Sequence, residues 1–414
     1  MSPSTKDYCV RTVTAFVSLA GCCPEERATR ITDASLFLSA ARSAYEHAGI
    51  AVQTTRIAFD SFEAWAGANP VAAVASVCQQ CRALNVPLIN IGSASSETAW
   101  RNVVPLLEAT DFPDGPMVAM SMAVPFPCPP GKLAHAVRAI TSASAKSDGK
   151  WNFRLGTAHH CGAGIPYFPV ACASAETDGT FAVGLENDAL VHNAFSAPET
   201  KDLVSAEKRL RDEMGPVAHT VQEIALQLER QHNYKFGGVD TSIAPGLDTP
   251  SLAHSFDALG LGKFGSPGTL AACAMMTSVL KTMKGVQNCG YSGLMLPVCE
   301  DKGLAESADA GACTVSKLVM YSAVCGIGLD TVPIPGPKLE GAEGHECGFD
   351  PALPENKLLE TQIAGVLSDL SAMAHRLDKP LSCRFLPLPG RAPGDRYDPQ
   401  SQYMCPANVM DPAA

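Results

Sequence analysis

The sequence predicts a single α/β unit built on a mainly parallel sheet or barrel. Segments that read as strands alternate with segments that read as helices along most of the chain, the order expected when helices connect parallel strands. Hydrophobic residues make up 46% and charged residues 18%, which supplies a large core and excludes disorder. No interior stretch rich in Gly, Ser and Pro cuts the chain, so residues 1–414 read as one unit, a length that large barrels reach.

The elements follow in order. Val10 to Leu19 alternates apolar and polar residues, a strand signature. Pro24 and two glutamates then open a helix that continues from Ala28 to His47. The pattern repeats as a strand at Ala51 to Phe59, a helix at Pro70 to Leu84 and a buried strand at Val86 to Ile91. Next come a helix at Ala99 to Ala109, a strand at Met117 to Val124 and a helix at Gly131 to Ala145. A short strand at Thr180 to Leu185 precedes a long amphipathic helix, Glu199 to Gln231, which Gly215-Pro216 is expected to kink or divide. The alternation resumes with a strand at Phe236 to Ile243, a helix at Pro267 to Lys284 and a strand at Ser292 to Val298. Helices at Val315 to Cys325 and Lys357 to Arg376 lead to a last strand, Leu381 to Leu388. Residues 333–354, rich in Pro and Gly, are long enough for a lid or an insertion. Residues 390–414 read as a tail wrapping the surface.

The net charge of -11, without a compact basic patch, argues against nucleic acid and anionic lipid as partners. No apolar run is long enough to span a membrane, and the polar stretch Met1 to Asp7 does not read as a signal peptide. Sixteen cysteines then point to a reducing, cytoplasmic setting with free thiols.

Four acidic residues stand where the chain leaves apolar segments: Asp240, Glu300, Asp301 and Asp330. Ligand sites of α/β folds lie beyond strand C-termini. Asp240, Glu300 and Asp330 are therefore the expected catalytic carboxylates, one acting as general base. Asp240, Glu300 and Asp301 carry the ligand type for one divalent cation. The bland alternative is that these residues cap loop amides and helix starts. The turn Phe264 to Thr269 opens a helix, so Ser266, Gly268 and Thr269 are expected to hold an anionic substrate group. Ser242 and Thr331, beside the aspartates, are further candidates for substrate binding. No nucleotide-cofactor motif is present. Arg154, Lys263 and Arg384 are isolated basic residues, suited to an acidic substrate group or to a salt bridge.

Three other motifs contain thiols or imidazoles. Cys78 and Cys81 have redox spacing but lie within an expected helix, where packing is the ordinary role. Cys325 ends a helix, where the dipole does not favour a thiolate. His159-His160-Cys161 with His345 and Cys347 would supply metal ligands only if the two segments met.

The segments GGVDTSIAPG (Gly237 to Gly246), GYSGLMLPVCEDKGLA (Gly290 to Ala305) and YSAVCGIGLDTVPIPG (Tyr321 to Gly336) resemble domain-of-unknown-function family 711, also called uncharacterised protein family 0210. YFPVA (Tyr167 to Ala171), FAVGLE (Phe181 to Glu186) and the run Leu377 to Asp395 add to the match, while residues up to about Trp151 match loosely. The resemblance implies a barrel of parallel half-sheets surrounded by helices, like that of pyruvate formate-lyase, and a homodimer. It does not imply radical chemistry, because no Arg-Val-x-Gly-Tyr stretch lies near the C-terminus. The chain departs from the family pattern at Cys172-Ala173-Ser174, where relatives carry a histidine, and at Cys299, where they carry an apolar residue.

The resulting expectation is a non-radical hydrolase or lyase acting on a small, anionic molecule. Its rivals are a metabolite-binding or sensing protein without turnover, and a thiol-based redox protein.

Overall fold

The computed structural model describes residues 7–247, 249–340, 348–350 and 352–414. The strands are β1 (Cys9–Val17), β2 (Val52–Phe59), β3 (Leu88–Ala94), β4 (Met117–Ala123), β5 (Leu155–His159), β6 (Thr180–Glu186), β7 (Lys235–Asp240), β8 (Gly328–Pro335), β9 (Leu339–Glu340), β10 (Gly348–Phe349), β11 (Leu381–Leu388), β12 (Arg396–Tyr397) and β13 (Ala407–Asn408). The helices are α1 (Pro24–His47), α2 (Pro70–Ala83), α3 (Glu97–Ala109), α4 (Pro130–Ser147), α5 (Asp188–Ser196), α6 (Leu203–Gln231), α7 (Leu252–Asp257), α8 (Thr269–Lys281), α9 (Lys302–Asp309), α10 (Val315–Ser322) and α11 (Pro354–Arg376).

Local chemistry starts many of these helices where the sequence indicates. Pro24 occupies the first turn of α1, and the Glu26 carboxylate accepts the Cys23 N–H at 2.8 Å. Ser96 caps α3 and Asp202 caps α6, each accepting a backbone N–H of the first turn. Pro216, by contrast, does not divide α6, which runs unbroken over 29 residues. An interior proline costs about 3 kcal/mol. Leu210, Met214, Val217, Val221 and Leu228, all buried on one face, bring enough packing to offset it.

Nine strands form one large, mostly parallel sheet in the order β7-β6-β1-β2-β3-β4-β5-β11-β8. β1 to β5 run parallel, as do β6 with β7 and β11 with β8. The direction reverses at two seams, β1 against β6 and β5 against β11. Both sheet edges reach one segment: Val239 bridges to Asn288, Ile243 to Leu294, and Pro297 to Asp330. The strand expected at Ser292 to Val298 is therefore a run of isolated bridges. β5 and β8 carry no clear strand signal. β5 is only five residues long, and β8 contains Pro333 and Pro335, which an edge strand tolerates.

Both faces of the sheet are buried, as parallel strands require. On β1, Val13, Ala15 and Val17 join the main core, which includes apolar residues of α1 to α6, whereas Phe16 joins a separate cluster with Ala58, Ala171 and Ala182. Residues 165–173 cross that inner face. They are tied down by the Thr14 hydroxyl donating to Pro166 O at 2.8 Å and Asn90 Nδ2 donating to Pro169 O at 2.7 Å.

The expected lid falls partly on residues 341–347, outside the described residues; β9 and β10 flank them as an antiparallel pair. The C-terminal tail does more than cover the surface. Its backbone bonds to Cys299, Pro333 and Ser316, and Met404, Cys405 and Ala407 are buried. Among the described residues no helix is long and apolar enough to cross a membrane.

Candidate functional site

A buried cavity of about 80 Å³ opens on the inner face of the sheet. It lies where β1 to β4 begin and where the chain leaves β7, and both halves of the sheet line it. Arg11 comes from β1, Thr54 and Arg56 from one face of β2, Met117 and Ala119 from β4. Asp330 comes from β8 and Arg384 from β11, and Glu300 ends a short 3-10 turn. Tyr403 arrives from the tail and stacks on Phe153.

Ion pairs bind these strands together. Arg11 reaches Glu186 at 2.5 Å and Glu300 at 2.9 Å. Arg384 reaches Glu300 at 2.7 Å through Nη2 and Asp330 at 2.6 Å through Nε. Its Nη1 donates to Phe153 O at 3.1 Å, and its guanidinium lies over the Phe153 ring. The β8/β11 register shifts at this point, setting two residues, Asp330 and Thr331, opposite Arg384. That bulge aims Asp330 at the guanidinium. Thr331 takes a left-handed φ of +43°, strained for a β-branched residue, and its buried hydroxyl has no partner among the described residues.

Burial pushes the Glu300 carboxyl upward, opposed first by Arg384 and then by Arg11. Each of its oxygens accepts from one arginine, which favours the ionised form. Asp330 differs, because only Oδ1 is engaged and Oδ2 has no hydrogen-bond partner among the described residues.

Arg56 is the residue that sequence reasoning missed. It is 7% exposed, yet among the described residues no carboxylate pairs with it. Its Nε donates to Thr54 Oγ1 at 3.0 Å, and the guanidinium sits 4.8 Å from the Phe168 ring centroid. Burial, then repulsion from Arg11, lowers its pKa to about 9. A basic residue within an otherwise apolar strand end was the available signal.

The other expected site residues fall elsewhere. Asp240 does not line the cavity. Its Oδ1 accepts from Ser242 N, Ser242 Oγ and Ser292 N, and its Oδ2 from Tyr291 N at 2.8 Å. It is a loop cap, the bland reading, and Gly290 lies so close that a Cβ there would stand 2.1 Å from Oδ2. Ser242 Oγ is spent on Asp240 and on Gly293 N. Asp301 caps α9 and also accepts from Ser251 Oγ and Leu252 N. Asp240, Glu300 and Asp301 thus do not fit a metal-ligand set, since each carboxylate is committed to amide, hydroxyl or guanidinium donors. Among the described residues no group of three or more His, Cys, Asp or Glu is placed to hold a metal ion. Ser266, Gly268 and Thr269 do not line the cavity either. Gly268 starts α8, but the Thr269 hydroxyl accepts from Gly265 N within the turn itself.

The remaining motifs stand outside this ion-pair network. Arg154 lines the cavity but spends its donors on Leu107 O, Thr110 and Asp111, closing the C-terminus of α3. His159 is buried between Thr157 and Ser371, and burial lowers its pKa to about 3, while His160 pairs with Asp378 at the surface. His345 and Cys347 lie outside the described residues. Cys78 and Cys81 are buried in the core, and burial pushes both thiols up, Cys78 to about 12. Cys325 is fully buried. Lys263 is exposed and does not line the cavity.

Behind Glu186, Asp188 is fully buried, accepting from Gly246 N at 2.9 Å and Thr249 Oγ1 at 2.5 Å. Burial raises its pKa to about 6, against these donors. A carboxyl raised on folding contributes stability below its unfolded pKa of about 4 and loses that contribution as pH rises through about 6. The Tm of the wild type relative to Asp188→Asn is therefore expected to fall between pH 4 and 7. A constant difference would contradict this assignment.

Fold and cavity define the class: a mixed α/β protein with a large, mostly parallel sheet, ringed by helices, around a buried charged pocket. Within that class the chain matches the family model described as Uncharacterised ACR (DUF711) over residues 4–109 and 130–399, and it belongs to that family. It is 33% identical over 225 residues to a UPF0210 protein of Pyrobaculum arsenaticum, covering 51% of this chain and 46% of the relative. A UPF0210 protein of Pyrobaculum islandicum is 30% identical over 282 residues, 65% of this chain and 56% of the relative. One from Corynebacterium glutamicum is 29% identical over 228 residues, 54% and 45% respectively. The chain spans about half the length of the curated relatives it matches.

Proposed function

We propose that this protein is a non-radical small-molecule enzyme, a hydrolase or a lyase, with Asp330 as its acid–base group. One observation carries the reading. Asp330 lines a buried cavity with one oxygen fixed by Arg384 and the other free to exchange a proton with a bound molecule. Glu300, spent on two arginines, acts as an electrostatic partner rather than a proton carrier. The bridges from both sheet edges to residues 288–297 support a closed barrel of the pyruvate formate-lyase type around the cavity.

The test is incubation of wild type and Asp330→Asn with a mixture of small metabolites, followed by mass spectrometry. A component consumed by wild type should be spared roughly 100-fold or more by the variant, the usual scale of a lost acid–base group. Equal consumption by both would sink the assignment. A component held by both and changed by neither would make the protein a binding or sensing protein instead, a reading favoured by the saturation of Glu300 by arginines.

A further inference from the structure

The cavity carries two unbalanced charges of opposite sign. In the network of Arg11, Arg384, Glu186, Glu300 and Asp330, three carboxylates meet two guanidiniums, which leaves one negative charge in excess. Asp330 and Glu186 each keep one oxygen without a hydrogen-bond partner among the described residues, and of the two only Asp330 lines the cavity. Arg56 supplies the opposite excess: it is more than nine-tenths buried, lines the same cavity and has no carboxylate partner among the described residues. Its terminal Nη1 and Nη2 have no hydrogen-bond partner among the described residues and are not sealed away from the cavity space. Phe168 and Thr54 hold the guanidinium in place, so its planar fork is pre-organised.

A buried, unpaired guanidinium is costly, and so is a buried carboxylate excess. The two are not bonded to each other, and a ligand with both charges would satisfy both. A single anion would meet Arg56 but be repelled by Asp330 and Glu300, and a dianion more so. Space sets the size. At roughly 10–15 Å³ per water-sized group, the 80 Å³ cavity takes about six non-hydrogen atoms. Leu88, Met117, Met295 and Ile327 offer apolar surface to a short side chain.

We propose that the cavity takes a small zwitterionic amino acid, its carboxylate paired with Arg56 and its ammonium with the free oxygen of Asp330. This rests on the reading of the cavity as the ligand site, but not on turnover. The guanidinium gives bidentate carboxylate recognition, and Asp330 discriminates against acids without an ammonium group.

Calorimetric titration of the full chain tests it without reference to catalysis. The probes are L-alanine, L-serine and β-alanine, with propionate, ethylamine, succinate and inorganic phosphate as single-feature controls. At least one amino acid is expected to bind at least tenfold more tightly than every control. Arg56→Gln is expected to lose that binding at least tenfold without a fall in Tm, since it removes an unpaired buried charge. Asp330→Asn should narrow the preference for L-alanine over propionate. Binding of propionate or phosphate as tight as that of the amino acids, full affinity in a folded Arg56→Gln protein, or no binding by any amino acid at millimolar concentration would each overturn the proposal. Amino-acid binding without turnover would leave it standing and remove the enzyme reading. Asp330-dependent turnover of a compound that is not an amino acid would do the reverse.

Discussion

Arg384→Met is expected to destabilise the fold by about 3–5 kcal/mol, the scale for leaving a buried charge unpaired. Among the described residues the guanidinium is the sole ion-pair partner of Asp330 and one of two partners of Glu300, and all three side chains are less than a tenth exposed. Removing it leaves Asp330 without its ion pair and Glu300 with Arg11 alone. The loss should show as a lower urea midpoint with an unchanged slope. It should also shrink as pH falls, because protonation of Glu300, whose carboxyl burial pushes upward, removes a charge that has lost one of its two arginines. The companion variant carrying Arg384→Met, Glu300→Gln and Asp330→Asn should recover part of the stability, since a neutralised cluster has no charge left unpaired. A single variant as stable as the wild type would show that the pairs contribute little.

Asp240→Ala is the second large expected effect, on the order of 3 kcal/mol or more. The carboxylate accepts from three backbone N–H groups and one hydroxyl in a fully buried position. Each buried donor left without a partner costs about 1–3 kcal/mol. Those donors belong to Ser242, Tyr291 and Ser292, on the two segments whose bridge joins Ile243 to Leu294, so amide exchange at Tyr291 and Ser292 should rise most. Below its lowered Tm the variant should still bind what the wild type binds, because Asp240 does not line the cavity. Loss of ligand binding in a folded Asp240→Ala protein would return Asp240 to the site.

The two predictions divide residues that looked alike in the sequence. Asp240 and Asp330 each precede a threonine near a strand end, and periodicity treats them equally. Their fates differ through what the rest of the chain brings to them. Asp240 meets the amides of a turn 51 residues away, and Asp330 meets a guanidinium on β11, 54 residues away. Neither distance is encoded locally. Arg56 does not stand out in the sequence for the same reason: its lack of a carboxylate partner among the described residues is a property of the assembled cavity, not of the strand VQTTRIAF.

The sequence by itself determined most of the alternation of strands and helices, several of the helix starts and the family. These rest on side-chain period, capping and turn chemistry, which act over a few residues. Only the tertiary structure decided that α6 runs through Pro216, that Pro-containing β8 serves as an edge strand, and that Glu300 and Asp330 share Arg384 while Asp240 and Asp301 are caps. Each of those outcomes is set by packing and electrostatics between segments far apart in the chain. Such energies, at several kcal/mol, outweigh the local preferences that a sequence displays.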